Sequence, residues 1–212
     1  MTYDHLELSS ALADVRRAYR LLWGFQRRMD DLANAFSQHL EFQNYYEKEK
    51  VGLWARLQMI SYGYFFVRKT HRLEDYPSGD YVNFPQRNDM MLYIWLESDT
   101  EFTRAYERTK KEPIPTEFND VNQSKSQLHA HLYLNKRDRR EKTNWFDTSA
   151  RTSNRIEYDR LTDHKSVEDM QCYGCRWDLT DLGDEDAVLA AADTLKSGFV
   201  TASSDPWPMT SE

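Results

Sequence analysis

MMLYIWLE, residues 90–97, is the stretch on which the fold turns. It is short, uninterrupted by Gly or Pro, and rich in aromatic and branched residues, which predicts a strand. Alternate side chains of a strand point to opposite faces. One face takes Met90, Leu92, Ile94 and Leu96, and the other takes Met91, Tyr93, Trp95 and Glu97. SQLHAHLYLN, residues 126–135, repeats the division. Its aliphatic face is Leu128, Ala130, Leu132 and Leu134, and its other face is His129, His131 and Tyr133. Two strands with the same two-sided character are expected to share a sheet whose aliphatic face is covered by helices. The second face then gathers rings, imidazoles and a carboxylate. Tyr93, Trp95, His129, His131 and Tyr133 are the candidate binding residues, because aromatic bodies with polar tips suit recognition as well as packing.

Outward from these strands, residues 59–69 read as another strand, with a helical stripe as the competing pattern. SDTEFTRAYERTKKE reads as a helix capped by Ser98 or Asp99, with Lys110 and Lys111 in its last turn and Pro113 and Pro115 beyond it. The polar stretch 136–165 reads as a long loop. Residues 170–179 read as a short strand, residues 184–196 as a helix stopped by Gly198, and FVTA (199–202) as a returning strand.

The N-terminal segment has a different period. Leu8, Val15, Leu22, Met29 and Phe36 recur every seven residues, interleaved with Leu12, Tyr19, Gln26, Ala33 and Leu40. The alternating spacing of four and three puts them on one stripe of a single helix over roughly 6–45. Residues 46–58 also look helical, with a break at Gly52. The expected fold is α+β, a mainly antiparallel sheet with helices on one face and a long N-terminal helix. It divides into the helix at 1–48, an α+β body at 49–204 and a loose tail at 205–212.

The chain has 212 residues, enough for a core without staples. A net charge of −7 argues against nucleic acid as a partner. No apolar run reaches the length of a membrane span, and MTYDHLELSS lacks the pattern of a secretory signal. With two cysteines there is no disulfide framework, so the expected compartment is the cytoplasm. Arg16, Arg20 and Arg27 beside Trp23 form one basic group, and Lys136, Arg137, Arg139, Arg140 and Lys142 form another. Asp138 and Glu141 dilute the second, and both read as solvated faces.

Two constellations invite chemistry. His129 and His131 point the same way, and with Cys172 and Cys175 they make a Cys2His2 donor set of the type that holds zinc. The default for a lone C-x-x-C is a pair of reduced structural thiols, with zinc and redox exchange as alternatives. Asp80, Glu97 and Asp99 surround the end of a strand, as carboxylates do that hold magnesium in a phosphodiesterase or nuclease. Asp99 has the competing role of a helix cap. With no coherent catalytic set and no required cofactor, the expected function is non-catalytic: an adaptor or regulatory protein that uses the long helix and the aromatic sheet face. Its expected partner is another protein or a second copy in a homodimer, because a helix of about 60 Å overhangs a body about 45 Å across.

Overall fold

The computed structural model describes residues 5–49, 61–76, 84–109, 114, 118, 121–138, 157–163 and 169–208. The fold is α+β. Helix α1 (His5–His39) leads into strands β1 (Gln43–Glu49), β2 (Ser61–Arg68) and β3 (Met90–Glu97). Helix α2 (Thr100–Thr109), strand β4 (Gln127–Asn135), the two-residue β5 (Thr162–Asp163), β6 (Met170–Asp178) and helix α3 (Glu185–Ser203) follow. The described strands form one sheet in the order β1-β2-β3-β4-β6-β5, with every neighbouring pair antiparallel.

The register joins like to like. Leu92 lies opposite Leu132, Ile94 opposite Ala130 and Leu96 opposite Leu128. These six side chains share one buried cluster with Met29, Leu32, Ala33, Phe36 and Leu40 of α1 and with Val188, Ala191, Ala192, Leu195 and Phe199 of α3. Helices α1 and α3 therefore cover the aliphatic face, as the alternation predicts. His39 Nε2 lies 2.8 Å from Asp193 Oδ1, and Arg28 donates to the Gly183 carbonyl at 2.5 Å, so the two helices are also tied at their polar edges.

Helix α1 stops earlier than its stripe suggests. Phe42 N–H bonds the Ser37 carbonyl, Glu41 N–H bonds the Gln38 carbonyl, and Glu41 is left-handed with φ 62°. This is a Schellman ending, which glycine usually supplies and glutamate here conceals. Phe42, buried beyond it, anchors the turn in the core. The expectation of helix over 46–58 is corrected for 46–49, which belong to β1 and pair with β2. Gly52 lies outside the described residues.

The other end of the chain gives a second correction. FVTA is helical, because α3 runs through Gly198 to Ser203 and ends at left-handed Ser204. Gly198 serves close packing rather than termination. A Cβ there would collide with the Tyr173 phenol, which lies where the helix crosses β6. The start of α3 matches the sequence reading, since the Asp184 side chain accepts from Ala187 N–H at 2.9 Å. Within the terminal segment, Trp207 packs edge-on against Phe42 and Phe199, and the buried Arg68 lies over its ring. No helix among the described residues is long and apolar enough to cross a membrane.

Candidate functional site

The opposite face of the sheet holds the chemistry. Across β2, β3, β4 and β6 its side chains stand in rows. One row is Gly63, Trp95, His129 and Arg176, and the next is Phe65, Tyr93, His131 and Gly174. A third is Val67, Met91, Tyr133 and Cys172. The first of the two glycines makes room for a ring. A Cβ at Gly63 would meet the Tyr93 ring at 2.5 Å. Gly174 is bridged in parallel by Tyr158, and Asp159 N–H bonds the Gly174 carbonyl at 2.8 Å. That bridge lays the Tyr158 ring 5.7 Å from His129 and 5.8 Å from His131.

The centre of the site is a chain of three polar groups. His129 Nε2 is 3.2 Å from Glu97 Oε2, and His129 Nδ1 is 2.6 Å from the Tyr158 hydroxyl. Glu97 and His129 are buried, whereas Tyr158 is half-buried. Burial raises the Tyr158 pKa to about 12, against the lowering effect of Arg176, so the phenol keeps its proton. With the imidazole N–H on Nε2 facing the Glu97 carboxylate, which only accepts, Nδ1 is left to accept from the phenol. Trp95 stacks on His129 with centroids 4.5 Å apart, which fixes the plane of the ring. Arg176 lies 4.8 Å above the Tyr158 ring centroid, a cation–π contact.

His131 is different. It is fully buried, and neither ring nitrogen has a hydrogen-bond partner among the described residues. Burial first, and the nearby His129 second, push its pKa down to about 3, so it is neutral at pH 7. An imidazole without partners costs stability, because each polar atom was hydrated in the unfolded chain.

The sheet divides the zinc candidates. His129 and His131 share a face with Cys172, but Cys175 lies on the other face in the aliphatic cluster. Residues three apart on a strand always point to opposite sides. The Cys2His2 set of His129, His131, Cys172 and Cys175 is therefore not brought together, which corrects that reading. Among the described residues no group of three or more His, Cys, Asp or Glu is placed to hold a metal ion. Both thiols are free and buried, and burial pushes both pKa values up, that of Cys175 to about 12. They fit reduced structural cysteines.

The magnesium candidates have separate roles. Asp80 lies outside the described residues. Glu97 is engaged with His129, and the Asp99 carboxylate accepts from Glu101 N–H at 2.9 Å as the cap of α2. Of the candidate binding residues, Tyr93, His129, His131 and Tyr133 are buried and Trp95 is partly exposed. Lys136 pairs with Asp205, and Arg137 with Asp169 at 3.1 Å, while Arg139, Arg140 and Lys142 lie outside the described residues. The reading from sequence missed Tyr158, which sits in a polar stretch without periodicity. Its only sequence signal is an aromatic residue within an otherwise charged run.

Fold and site together define an α+β protein with one face closed by helices and a Glu–His–Tyr chain on the other. A family model described as PM0109 matches residues 5–203, and the chain belongs to that family. It is 27% identical over 204 residues to Uncharacterized protein PM0109 of Pasteurella multocida (strain Pm70), covering 87% of this chain and 90% of that protein. No solved structure matches.

Proposed function

We propose that this is a protein-interaction protein whose contact surface is the first half of α1, and that a second copy of the chain occupies it. The observation that carries this reading is the state of the helical stripe. Met29, Leu32, Ala33, Phe36 and Leu40 are buried against the sheet, whereas Leu12 is 47% exposed, Val15 48% and Tyr19 62%, with Trp23 beside the stripe 64% exposed. The exposed four recur at helical spacing and line one side. Contiguous apolar surface of this type marks an interface.

Charge supports self-pairing and gives its direction. Residues 5–15 carry Glu7 and Asp14 and no Lys or Arg, whereas residues 16–28 carry Arg16, Arg17, Arg20, Arg27 and Arg28 and no acid. Parallel helices would stack arginines on arginines. An antiparallel pair lays the acidic part of one copy against the basic part of the other. Leu12 and Tyr19 lie equally far from the midpoint between Val15 and Arg16, so in an antiparallel pair centred there Leu12 of one copy meets Tyr19 of the other, which is the isologous arrangement of a two-fold dimer.

Light scattering of the purified chain tests the reading. The expected mass is twice the 25.3 kDa of one chain. Leu12→Asp with Tyr19→Asp should return it to one chain with the unfolding midpoint of the body kept. A monomer at about 100 μM, far above the micromolar Kd of a modest interface, refutes it. Mixing Leu12→Cys and Tyr19→Cys chains tests direction, since a mixed disulfide forms readily only in the antiparallel pair.

A further inference from the structure

The three-group chain on the ring-lined face of the sheet has the parts of an activated hydroxyl. We propose that Tyr158 is a nucleophile for acyl transfer, with His129 as its general base and Glu97 as the positioning residue that orients the imidazole and balances its charge. The geometry meets the requirements in order. The nucleophile is 2.6 Å from the base, and the base is 3.2 Å from its carboxylate. Trp95 holds the base in plane. Arg176, over the phenol ring, favours the negative charge that develops on the oxygen as its proton leaves.

The two histidines divide the work. His129 faces Glu97 from β3, Tyr158 from the bridging segment, Arg176 from β6 and His131 on its own strand. Among the described residues, of the two imidazoles only His129 has a carboxylate to balance an added proton. His131 stays neutral and carries one N–H with no acceptor among the described residues, 5.8 Å ring to ring from Tyr158. Its ring nitrogens are sealed from solvent, so it serves the site as an uncharged neighbour of the base.

The surroundings select the electrophile. Glu97 lies within the chain, and Glu157, next to Tyr158, is tied to Arg160 at 3.0 Å. The rings of Trp95 and Tyr158 beside a buried carboxylate suit an uncharged carbonyl, as in an ester or another activated acyl compound. In the step, the phenol oxygen attacks the carbonyl carbon and its proton passes to His129 Nδ1, while Nε2–H stays on Glu97. The tetrahedral adduct then collapses, and the leaving group departs with the proton from Nδ1. The products are the Tyr158 ester and the protonated leaving group. Water attacks the ester with the same base and returns the phenol and a carboxylic acid.

N-acetylimidazole, a small acyl donor to phenols, provides the test. The intact protein is treated at pH 7.5 with N-acetyltyrosine amide in the same solution as an exposed reference, and acetylation of each tyrosine is followed by peptide mass spectrometry. A half-buried phenol with only a structural hydrogen bond reacts more slowly than the free reference. The proposal expects Tyr158 to react about 100-fold faster, the typical contribution of a general base. His129→Gln should bring it to the reference rate or below. Glu97→Gln should slow Tyr158 by about tenfold or more without moving the other tyrosines, and Glu97→Asp, which keeps a carboxylate, should recover part of the rate, a rescue that a merely structural contact would not show. A Tyr158 rate at or below the reference in the wild-type protein overturns the proposal, whether or not the variants fold.

Discussion

The two faces of the sheet come from the same strands and differ in what their neighbours ask of them. On one face Leu92, Ile94, Leu128 and Leu132 meet α1 and α3, and only volume matters. On the other, Phe65, Met91, Tyr93 and Tyr133 are packed as tightly, yet they enclose two imidazoles and a carboxylate. Burial is similar and its consequences are opposite. Apolar atoms gain from leaving water, whereas a polar atom that leaves water gains only when it finds a partner. His129 has two partners and His131 has none among the described residues. The first face therefore stores stability, and the second spends part of it on an arrangement that packing alone does not need.

The largest effect should come from the first face. Leu132→Ala removes a fully buried side chain at the centre of the helix-covered cluster, and the loss should be about 2–5 kcal/mol, read as a shift in the denaturant midpoint at constant m-value. A loss below about 1 kcal/mol would mean that the site collapses freely and that the two faces do not differ as described.

The next effect separates the faces by pH. His131 is neutral in the folded chain down to about pH 3, whereas an unfolded histidine takes up a proton near pH 6.5. Below that value the unfolded chain binds a proton that the folded chain refuses. The stability linked to His131 is thus complete above pH 6.5 and is lost as pH falls from there toward 3. By pH 5 the loss should be about 2 kcal/mol, at about 1.4 kcal/mol per pH unit. His131→Leu should abolish this part of the acid sensitivity and leave stability at pH 7.5 unchanged or higher, since no hydrogen bond among the described residues is broken. Parallel stability–pH curves for wild type and variant would show that His131 titrates as it does in water.

Much of this contrast is legible in the sequence, and the exceptions have physical causes. Period-two alternation in 90–97 and 126–135 assigns both faces, because one face of each strand carries only aliphatic side chains and the other every ring and charge. The long helix is legible from its stripe, but its end is not, since Glu41 occupies a left-handed position that glycine would have announced. Gly198 misleads in the other direction: it stands within a helix because Tyr173 needs the space. The four-residue zinc set could have been excluded from sequence, because Cys172 and Cys175 lie an odd number of positions apart on an expected strand. Tyr158 could not have been found in that way. Its place depends on a bridge to Gly174, sixteen residues further along, and no local pattern encodes a bridge of that range.

Tyr158→Phe is the smallest of the three effects on stability. The substitution keeps the ring over His129 and under Arg176, so packing and most of the cation–π contact persist. What it removes is one hydroxyl and its 2.6 Å hydrogen bond to Nδ1. Were the position sealed, His129 would be left with an unpaired buried nitrogen at a cost of up to about 3 kcal/mol. Tyr158 is half-buried, however, so water can take the place of the hydroxyl, and the expected loss is about 1 kcal/mol. The loss is read as the shift of the denaturant midpoint at constant m-value. A loss near about 3 kcal/mol would mean that the position is sealed from water, and a loss within error of zero would mean that the contact between phenol and imidazole contributes nothing to stability.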